Sequence, residues 1–489
     1  MRLAIIVSHP IQYYSPWFRH IAEHMRQVVE GTRREARGQR PEDVDPDSLH
    51  AAELARRVAK RPTDTNNLQQ NALRVFYLWD FGVTEKTDKG FGKVVKWDVD
   101  LLEGYDHELV PNVSARPGTD WFGGLDNPGL SQRVKVFAPD AVLQFGYNYK
   151  SLVNFDLRWN TKRAPLLFRG DSHLLAEDGE RGKGQEAMGT RLKRWMREIG
   201  LRLHFRRFAC FLAVGKANAD YFRAHGVPES KIVRCPHVVD NAFFIAEKNA
   251  GTRHEATGDK EEGRGLREEL GIPEDELVFL FAGKLEEKKQ PGQLLEAFLA
   301  ADLPKATLLF VGSGELESAL KEKAKGISHG WKKINTDIFS AGDPAGKSSS
   351  HQETENCQLT TDDSAHRVVF LEFQNQSRMP AVYGTGDVLV LPSKGRYETW
   401  GLAVNEAACC GLPTIVSSHV GCGPDLIEDG VTGWIFEAGN VLALKRALET
   451  AAANRHRLAA MGEALKQRVT REYSYQSATE ALLAALNKL

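Results

Sequence analysis

Short apolar runs recur along this sequence and constrain its fold more than any other feature. Leu3–Val7 is typical, because its apolar residues follow one another directly and stop at Ser8 and His9. A strand that is buried on both faces of a parallel sheet has this pattern, and parallel strands need helical crossovers between them. Helical spacing lies between most of the runs, so the sequence predicts an α/β fold built from βαβ units. The other runs are 75–78, 141–145, 165–168, 209–214, 277–281, 307–311, 368–371, 388–391 and 413–416.

The runs form two series, which indicates two domains. At 489 residues the chain is too long for one ordinary hydrophobic core. A polar stretch that is rich in glycine and glutamate separates the two series. The sequence therefore predicts doubly wound, Rossmann-like domains at residues 1–245 and 267–472, joined by a linker at 246–266.

Two further polar stretches interrupt the predicted domains, at about 25–73 and 326–366. Both contain few large apolar residues, so neither can build a core of its own. We interpret them as insertions, the first partly helical around residues 50–59 and the second a disordered excursion on the surface.

The composition excludes several classes of function. The chain carries 64 basic and 65 acidic residues, so it has no overall field that would attract nucleic acid. The six cysteines form no Cys-x-x-Cys pair, and no stretch of about 18 apolar residues is present. Asp98 and Asp100 have the Asp-x-Asp spacing of metal-dependent transferases, but we interpret them as solvated. We therefore expect a cytoplasmic protein with no metal and no cofactor.

The segment from Pro392 to Ala407 carries the strongest functional signal. It begins beyond the run at 388–391, at the strand end where open α/β sheets bind ligands, and a helix is predicted to start near Gly401. Glu398 and Glu406 are separated by seven residues, which places one in the loop and one in the helix. Carboxylates accept hydrogen bonds from sugar and ribose hydroxyls, and a helix N-terminus favours phosphate. The alternative is a pair of solvated surface glutamates.

This arrangement resembles the E-x7-E motif of retaining GT-B glycosyltransferases, glycosyltransferase family 4 (glycosyl transferases group 1). Other segments of the C-terminal half are similar to that family in the same order: 281–289, 311–314, 383–393 and 430–434. The resemblance implies a GT-B architecture, with two Rossmann-like domains facing each other across a cleft. It also implies that a C-terminal helix, 473–489, packs back on the N-terminal domain.

The resemblance implies a donor site in the C-terminal half. Lys284 and Lys289 would bind the donor pyrophosphate, with Lys288 as an alternative to Lys289 if the loop is shifted by one residue. The family usually has arginine at the position of Lys284, so this chain keeps the charge and loses the bidentate fork. Glu406 would hold the ribose and Glu398 the sugar hydroxyls. The remaining donor-binding candidates are Gly283, Asn375, Gly401 and Leu402.

The N-terminal half resembles the family less closely and is predicted to bind the acceptor. Asp171 and His173 follow a buried run, where the family carries a polar residue near the transferred sugar, and are catalytic candidates beside Glu398. The alternative is that Asp171 caps the next helix. His9 and Gln12 are cleft candidates, or belong to a loop packed by its own aromatic residues. Further cleft candidates are Tyr147 and Asn148.

Basic and apolar residues interleave at 189–208, which is typical of a helix that lies on an anionic membrane surface. The alternative is a surface helix that packs its apolar stripe onto the sheet.

The sequence therefore predicts a retaining glycosyltransferase that moves a hexose-type sugar from a nucleoside-diphosphate sugar to a glycan or lipid-linked acceptor. We expect it to act in surface polysaccharide biosynthesis at the inner face of the membrane, without nucleic acid as a partner. The alternatives are a non-catalytic nucleotide-sugar-binding protein on the same fold, or another GT-B enzyme such as a nucleotide-sugar epimerase.

Overall fold

The computed structural model contains two large, mainly parallel β-sheets, one in each half of the chain. They confirm the predicted α/β class. The structure describes residues 1–36, 72–84, 86–88, 93–95, 97–176, 188–246, 265–325, 331–334, 356–359 and 366–489.

The N-terminal sheet is parallel throughout and has the strand order β5-β2-β1-β6-β7-β8-β9. Side chains of its central strand alternate between two cores, because Leu3 and Ile5 pack on one face and Ala4 and Ile6 on the other. Both faces are buried, which explains why the strand is apolar without alternation. The strands are β1 (Leu3–Val7), β2 (Leu73–Tyr77), β5 (Asp106–Leu109), β6 (Ala141–Phe145), β7 (Leu166–Gly170), β8 (Cys210–Ala213) and β9 (Ile232–Arg234), and β3 (Lys86–Asp88) pairs separately with β4 (Lys93–Val95).

Helices cover both faces of this sheet, and the first of them extends further than the sequence predicts. It continues to Ala36, past the residue at which we placed the first insertion, because Met25 and Val28 are buried in the core. Residues 37–71, including the helix expected around 50–59, lie outside the described residues. The helices are α1 (Ser15–Ala36), α2 (Leu130–Phe137), α3 (Lys150–Arg158), α4 (Met188–Phe205) and α5 (Lys216–Ala224).

The C-terminal sheet has the order β12-β13-β14-β11-β10-β15-β16-β17. Six neighbouring strands of this sheet are parallel to one another: β14, β11, β10, β15, β16 and β17. The other two, β12 and β13, add an antiparallel pair at one edge. This pair lies inside the stretch 326–366, which we had interpreted as a disordered excursion. The strands are β10 (Leu277–Ala282), β11 (Ala306–Val311), β12 (Trp331–Ile334), β13 (Asn356–Leu359), β14 (His366–Leu371), β15 (Val388–Leu391), β16 (Thr414–Ser417) and β17 (Gly433–Phe436).

The last helix of the chain packs on the N-terminal sheet, although it follows the C-terminal one in sequence. Ala478 and Leu482 are buried in the N-terminal core, and the Trp17 indole donates a hydrogen bond of 3.1 Å to the Thr479 hydroxyl. Ser474 and Ser477 form a reciprocal capping box that starts this helix. The helices of this half are α6 (Leu266–Glu269), α7 (Pro291–Ala300), α8 (Glu317–Lys325), α9 (Met379–Thr385), α10 (Leu402–Cys409), α11 (Gly423–Leu426), α12 (Val441–Ala453), α13 (Leu458–Glu472) and α14 (Tyr475–Asn487).

Candidate active site at the cleft between the two sheets

Glu398 lies beyond the carboxyl end of β15 and is held by groups from two neighbouring strand ends. Its carboxylate accepts a 2.7 Å hydrogen bond from the buried Ser393 hydroxyl and forms an ion pair with Lys289. The two charged side chains are only 11% and 22% exposed, so water screens their attraction weakly. The motif carboxylate and the predicted phosphate-binding lysine therefore share one site.

The backbone around Glu398 is fixed by a short ladder to the loop that follows β16. The Gly421 amide donates to the Glu398 carbonyl at 3.1 Å, and the Cys422 amide donates to the Trp400 carbonyl at 2.9 Å. A Cβ atom at Gly421 would lie 1.8 Å from the Thr399 carbonyl oxygen. Only glycine allows this approach, so the position of Glu398 depends on it.

Lys289 reaches Glu398 from the short 3-10 turn Glu287–Lys289 that follows β10. The neighbouring Lys288 turns away and pairs with Glu286 at 2.8 Å, so the structure favours Lys289 over the one-residue shift. Lys284 lies in the turn immediately after β10 and is half-buried. The two predicted phosphate-binding lysines thus come from the same strand end.

Glycines pack the turns after β10 and β11 directly against each other. A Cβ atom at Gly312 would lie 2.0 Å from the Gly283 carbonyl oxygen. In the turn after β11 the buried Ser313 also accepts a hydrogen bond of 3.4 Å from the Phe373 amide, which follows β14. Gly312 therefore allows the backbones that surround the site to approach closely.

Glu406 lies on α10 and points at the turn that precedes α9. The Tyr383 hydroxyl donates a 2.6 Å hydrogen bond to its carboxylate, and the nearby Gln376 side chain also favours the charged form. Removal from water outweighs both groups and raises the pKa of Glu406 to about 7. Tyr383 is a site residue to which sequence reasoning gave no role, although it lies in one of the segments that resemble the family.

The start of α10 faces the same region. Gly401 has φ +97° and precedes Leu402, the first residue of the helix. A Cβ atom at Gly401 would lie 2.9 Å from the Leu391 side chain, so space and conformation both favour glycine. The helix N-terminus supplies partial positive charge close to both motif glutamates.

Asp171 and His173 approach this site from the N-terminal sheet, beyond the end of β7. The Thr399 hydroxyl donates to the Asp171 carboxylate at 2.6 Å, and His173 Nε2 lies 3.2 Å from the Glu398 carbonyl oxygen. Because the Leu175 amide donates to His173 Nδ1, the ring proton lies on Nε2, and burial lowers the pKa of His173. Residues 172–176 form no helix, which excludes the capping alternative for Asp171 within this described segment.

Asn375 joins the donor half to a loop of the N-terminal half. Its side-chain oxygen accepts from the Gln376 amide at 2.9 Å and from the Asp98 amide at 3.4 Å. The Asp98 carboxylate in turn accepts hydrogen bonds from Ser377. Our interpretation of Asp98 as merely solvated is therefore wrong, whereas Asp100 accepts the amides of its own turn.

The acceptor-cleft candidates divide into two groups. Tyr147 is half-buried against the N-terminal core, where its hydroxyl pairs with Tyr221 at 2.8 Å, and its place in the cleft stays a prediction. His9 packs edge-on against the rings of Trp79 and Phe81, which follow β2 and are not aromatic residues of its own loop, and its role in the cleft stays a prediction. Gln12 is half-buried in that loop and Asn148 is exposed after β6; both remain predictions.

A second set of contacts between the halves lies beside the motif and was not predicted. The Asn405 amide donates to the His237 carbonyl at 3.3 Å and accepts from the Trp400 indole at 2.8 Å. The Lys216 amide donates to Asp425 at 2.8 Å. The Asn405–His237 and Lys216–Asp425 pairs join residues that are more than 160 positions apart, so no local spacing in the sequence predicts them.

A family profile matches the C-terminal half of the chain. The profile described as glycosyl transferases group 1 covers residues 264–330 and 332–468, which include every predicted donor-site residue. The C-terminal half of this chain is therefore similar to the group 1 glycosyltransferases. The predicted resemblance to that family is confirmed for this half.

Known relatives match part of the chain. The D-inositol 3-phosphate glycosyltransferases of Mycobacterium bovis and Mycobacterium tuberculosis are 28% identical over 229 residues. The match covers 46% of this chain and 40% of each relative. The chain therefore matches less than half of the length of these relatives.

Solved structures match the whole fold. HepE from Anabaena in complex with UDP has a TM-score of 0.58 and 15% identity, and the match covers 100% of both chains. Sucrose-phosphate synthase from Thermosynechococcus elongatus also has a TM-score of 0.58 and 15% identity, with 100% of this chain and 98% of that one covered. These similarities confirm the predicted GT-B fold.

Proposed function

We propose that this protein moves a hexose-type sugar from a nucleoside-diphosphate sugar to an acceptor hydroxyl, with retention of configuration. The observation that carries the proposal is the environment of Glu398. Lys289 contacts its carboxylate from the donor half, and His173 contacts its carbonyl oxygen from the other half. A group held from both sides of the cleft is where donor and acceptor would meet.

The nucleotide would bind along the strand ends of the C-terminal sheet. The half-buried carboxylate of Glu406 would accept hydrogen bonds from the ribose hydroxyls, and the main chain near Asn375 would meet the base. Lys284, Lys289 and the N-terminus of α10 would neutralise the diphosphate. The name of a neighbouring structure, HepE from Anabaena in complex with UDP-glucose, supports a donor of this class.

Transfer would proceed on one face of the sugar and without a metal. The acceptor oxygen forms a bond to the anomeric carbon as the bond from that carbon to the diphosphate oxygen breaks. The electron pair of the broken bond stays on the diphosphate, and the acceptor proton passes to one of its oxygens. Lys289 stabilises the charge that develops there, while Glu398 orients the sugar.

A panel of donors tests this proposal. Wild-type protein is titrated with UDP, GDP, ADP and CMP, and then with the sugar conjugates of whichever nucleotide binds. Glu406→Ala should abolish most of the nucleotide-induced rise in melting temperature, whereas Glu322→Gln, at an exposed position on α8, should preserve it. Absence of any nucleotide effect in the wild type would contradict the proposal. Nucleotide binding without sugar transfer would favour the non-catalytic alternative. Conversion of the nucleotide sugar to its epimer would favour the epimerase alternative.

Helix α4 supports a lipid-linked acceptor at the inner face of a membrane. Trp195, Met196 and Leu203 are 60%, 61% and 55% exposed and lie on one side of the helix with Ile199, whereas the end of the stripe, at Phe205, packs on the sheet. Arg197 and Arg202 flank them. No helix in the described part of the chain is long and apolar enough to cross a bilayer.

Vesicle flotation tests this part of the proposal. Wild-type protein should float with vesicles that contain anionic phospholipid, and a Trp195→Ala/Leu203→Ala variant should stay largely in the aqueous fraction. The exposed apolar residue Val136 on α2 provides a matched control, because Val136→Ala removes a similar side chain elsewhere. Equal flotation of all three proteins would overturn the membrane contact and the surface-polysaccharide role inferred from it.

A further inference from the structure

The loop that carries Trp97 and Asp98 is the part of the N-terminal half that meets the proposed nucleotide site. Asp98 accepts hydrogen bonds from the Ser377 amide, at 3.3 Å, and from the Ser377 hydroxyl. Its own amide donates to the Asn375 side chain at 3.4 Å. The Trp97 ring lies edge-on to Phe373, with ring centroids 6.3 Å apart. Both residues therefore hold one turn of the opposite half.

That turn leads directly to the proposed ribose carboxylate. Asn375 caps the 3-10 turn Gln376–Arg378, and its side-chain oxygen accepts both the Gln376 amide and the Asp98 amide. The Gln376 side chain lies close enough to the Glu406 carboxylate to favour its charged form. A series of contacts thus runs from Asp98 through the turn to the neighbourhood of Glu406, across the cleft.

The loop is itself supported from behind. Gly82 has φ +94°, and a Cβ atom there would lie 2.9 Å from the Pro10 carbonyl oxygen and 3.4 Å from the Trp97 ring. Glycine lets the segment after β2 approach the loop that follows β1, and the Trp97 ring packs against Gly82 at ordinary contact distance. Because Trp97 packs against the N-terminal half, the neighbouring Asp98 should move together with that half.

We propose that Asp98 is a positioning residue for the donor nucleotide, acting through Gln376 on Glu406 when the two halves are closed. This inference rests on the proposed function, because it assigns Glu406 to the ribose. The hydrogen bonds to Asp98 exist only while the halves are together, so closure stabilises the turn that orients Glu406. By reciprocity, a nucleotide that needs this orientation favours closure.

Nucleotide affinity in Asp98 variants tests the inference. Asp98→Ala should weaken binding of the nucleotide identified in the donor panel by about fivefold to tenfold, within the usual range for coupled sites. Asp98→Asn keeps an acceptor for the Ser377 amide and should restore part of the affinity. The Michaelis constant for the donor should rise in Asp98→Ala while turnover at saturating donor changes less. Asp220→Ala removes an exposed carboxylate on α5 and should match the wild type.

A double-mutant cycle tests the route. Gln376→Ala should weaken nucleotide binding to a similar degree, and combining it with Asp98→Ala should cost little more, because both interrupt one series of contacts. Fully additive losses would overturn the route through Gln376. Wild-type affinity in Asp98→Ala would overturn the role of Asp98.

Glu406→Ala separates failure of this inference from failure of the proposed function. If Glu406→Ala weakens nucleotide binding and Asp98→Ala does not, only the positioning role is wrong. If neither variant changes the affinity, the ribose assignment fails and the inference fails with it. Melting temperatures of the Asp98 variants without nucleotide should stay near the wild-type value, because the Asp98 side chain is exposed.

Discussion

The two sides of the cleft differ in how their polar groups are held. On the C-terminal side, Glu398 and Glu406 are fixed by side-chain partners such as Ser393 and Tyr383, all close to the ends of parallel strands. On the N-terminal side, His9 lies among aromatic rings, and the half-buried Tyr147 packs against the core. The proposed donor brings a constant ribose and diphosphate, which suits a short motif on rigid strand ends.

The largest expected effect is a loss of turnover, rather than of nucleotide affinity, when Glu398 on the donor side is changed. Glu398→Gln removes the charge that Lys289 and Ser393 hold, and turnover should fall by about 10²–10³-fold. Nucleotide affinity should stay within about twofold of the wild type, because Glu398 is assigned to the sugar. Initial rates and calorimetric titration measure the two quantities separately. A loss of nucleotide affinity as large as the loss of turnover would contradict the division between sugar and nucleotide contacts.

Two adjacent lysines provide the next test. Lys289→Ala should lower the affinity for the nucleoside diphosphate by about tenfold or more and also reduce turnover, because it removes a charge-assisted hydrogen bond from a poorly screened site. Lys288→Ala deletes the same side chain one residue earlier, where it pairs with Glu286, and should change either quantity by less than about twofold. Equal effects in both variants would mean that net charge, rather than the geometry at Glu398, matters.

A glycine substitution tests how rigidly Glu398 is held. Gly421→Ala forces a Cβ atom against the Thr399 carbonyl oxygen and should destabilise the fold by about 1–3 kcal/mol. Turnover should fall as the segment around Glu398 shifts. Gly292→Ala on α7 meets no atom within 4 Å and should be neutral or slightly stabilising. Denaturant unfolding measures the stability of both variants, and initial rates measure their turnover. If Gly421→Ala is as stable and active as Gly292→Ala, the backbone hydrogen bonds at Gly421 and Cys422 do not fix the position of Glu398.

The smallest expected effect is a pH dependence of stability and of nucleotide-sugar affinity near neutral pH, which follows from the pKa of Glu406. Burial raises this pKa from 4.5 to about 7, so between these values the folded protein holds a proton that the unfolded chain has released. The contribution of Glu406 to stability is therefore largest below pH 4.5 and is lost as the pH rises through 7. Affinity for a nucleotide sugar should change in the opposite direction, rising severalfold between pH 6 and 8, since the ionised carboxylate is the better acceptor.

Glu406→Gln is the control for this pH dependence, because it keeps an acceptor and cannot titrate. Both trends should disappear in this variant when melting temperature and nucleotide-sugar affinity are followed across the same pH range. A rise in affinity that persists in Glu406→Gln would assign the titration to another group.

Most of the fold and of the donor side is predictable because strand ends and short motifs are local. The strand at Leu277–Ala282 is visible as an apolar run, and Lys289 follows it at a fixed distance. Strand β13, Asn356–Leu359, is not visible, since its short polar sequence becomes ordered by pairing with β14. The contact between Asp98 and Ser377 joins positions 279 residues apart and follows from how the two halves meet. The direction of Tyr147 depends on whether the residue after β6 turns toward the cleft or the core, which spacing alone does not determine.

The return of α14 to the N-terminal sheet has a consequence for biosynthesis. During translation, the N-terminal half leaves the ribosome first, but Ala478 and Leu482 of its core are made after the whole C-terminal sheet. Until they are made, part of the apolar surface around Trp17 lacks its cover. The half made first is therefore completed last, and a nascent chain stalled before residue 475 should depend on chaperones.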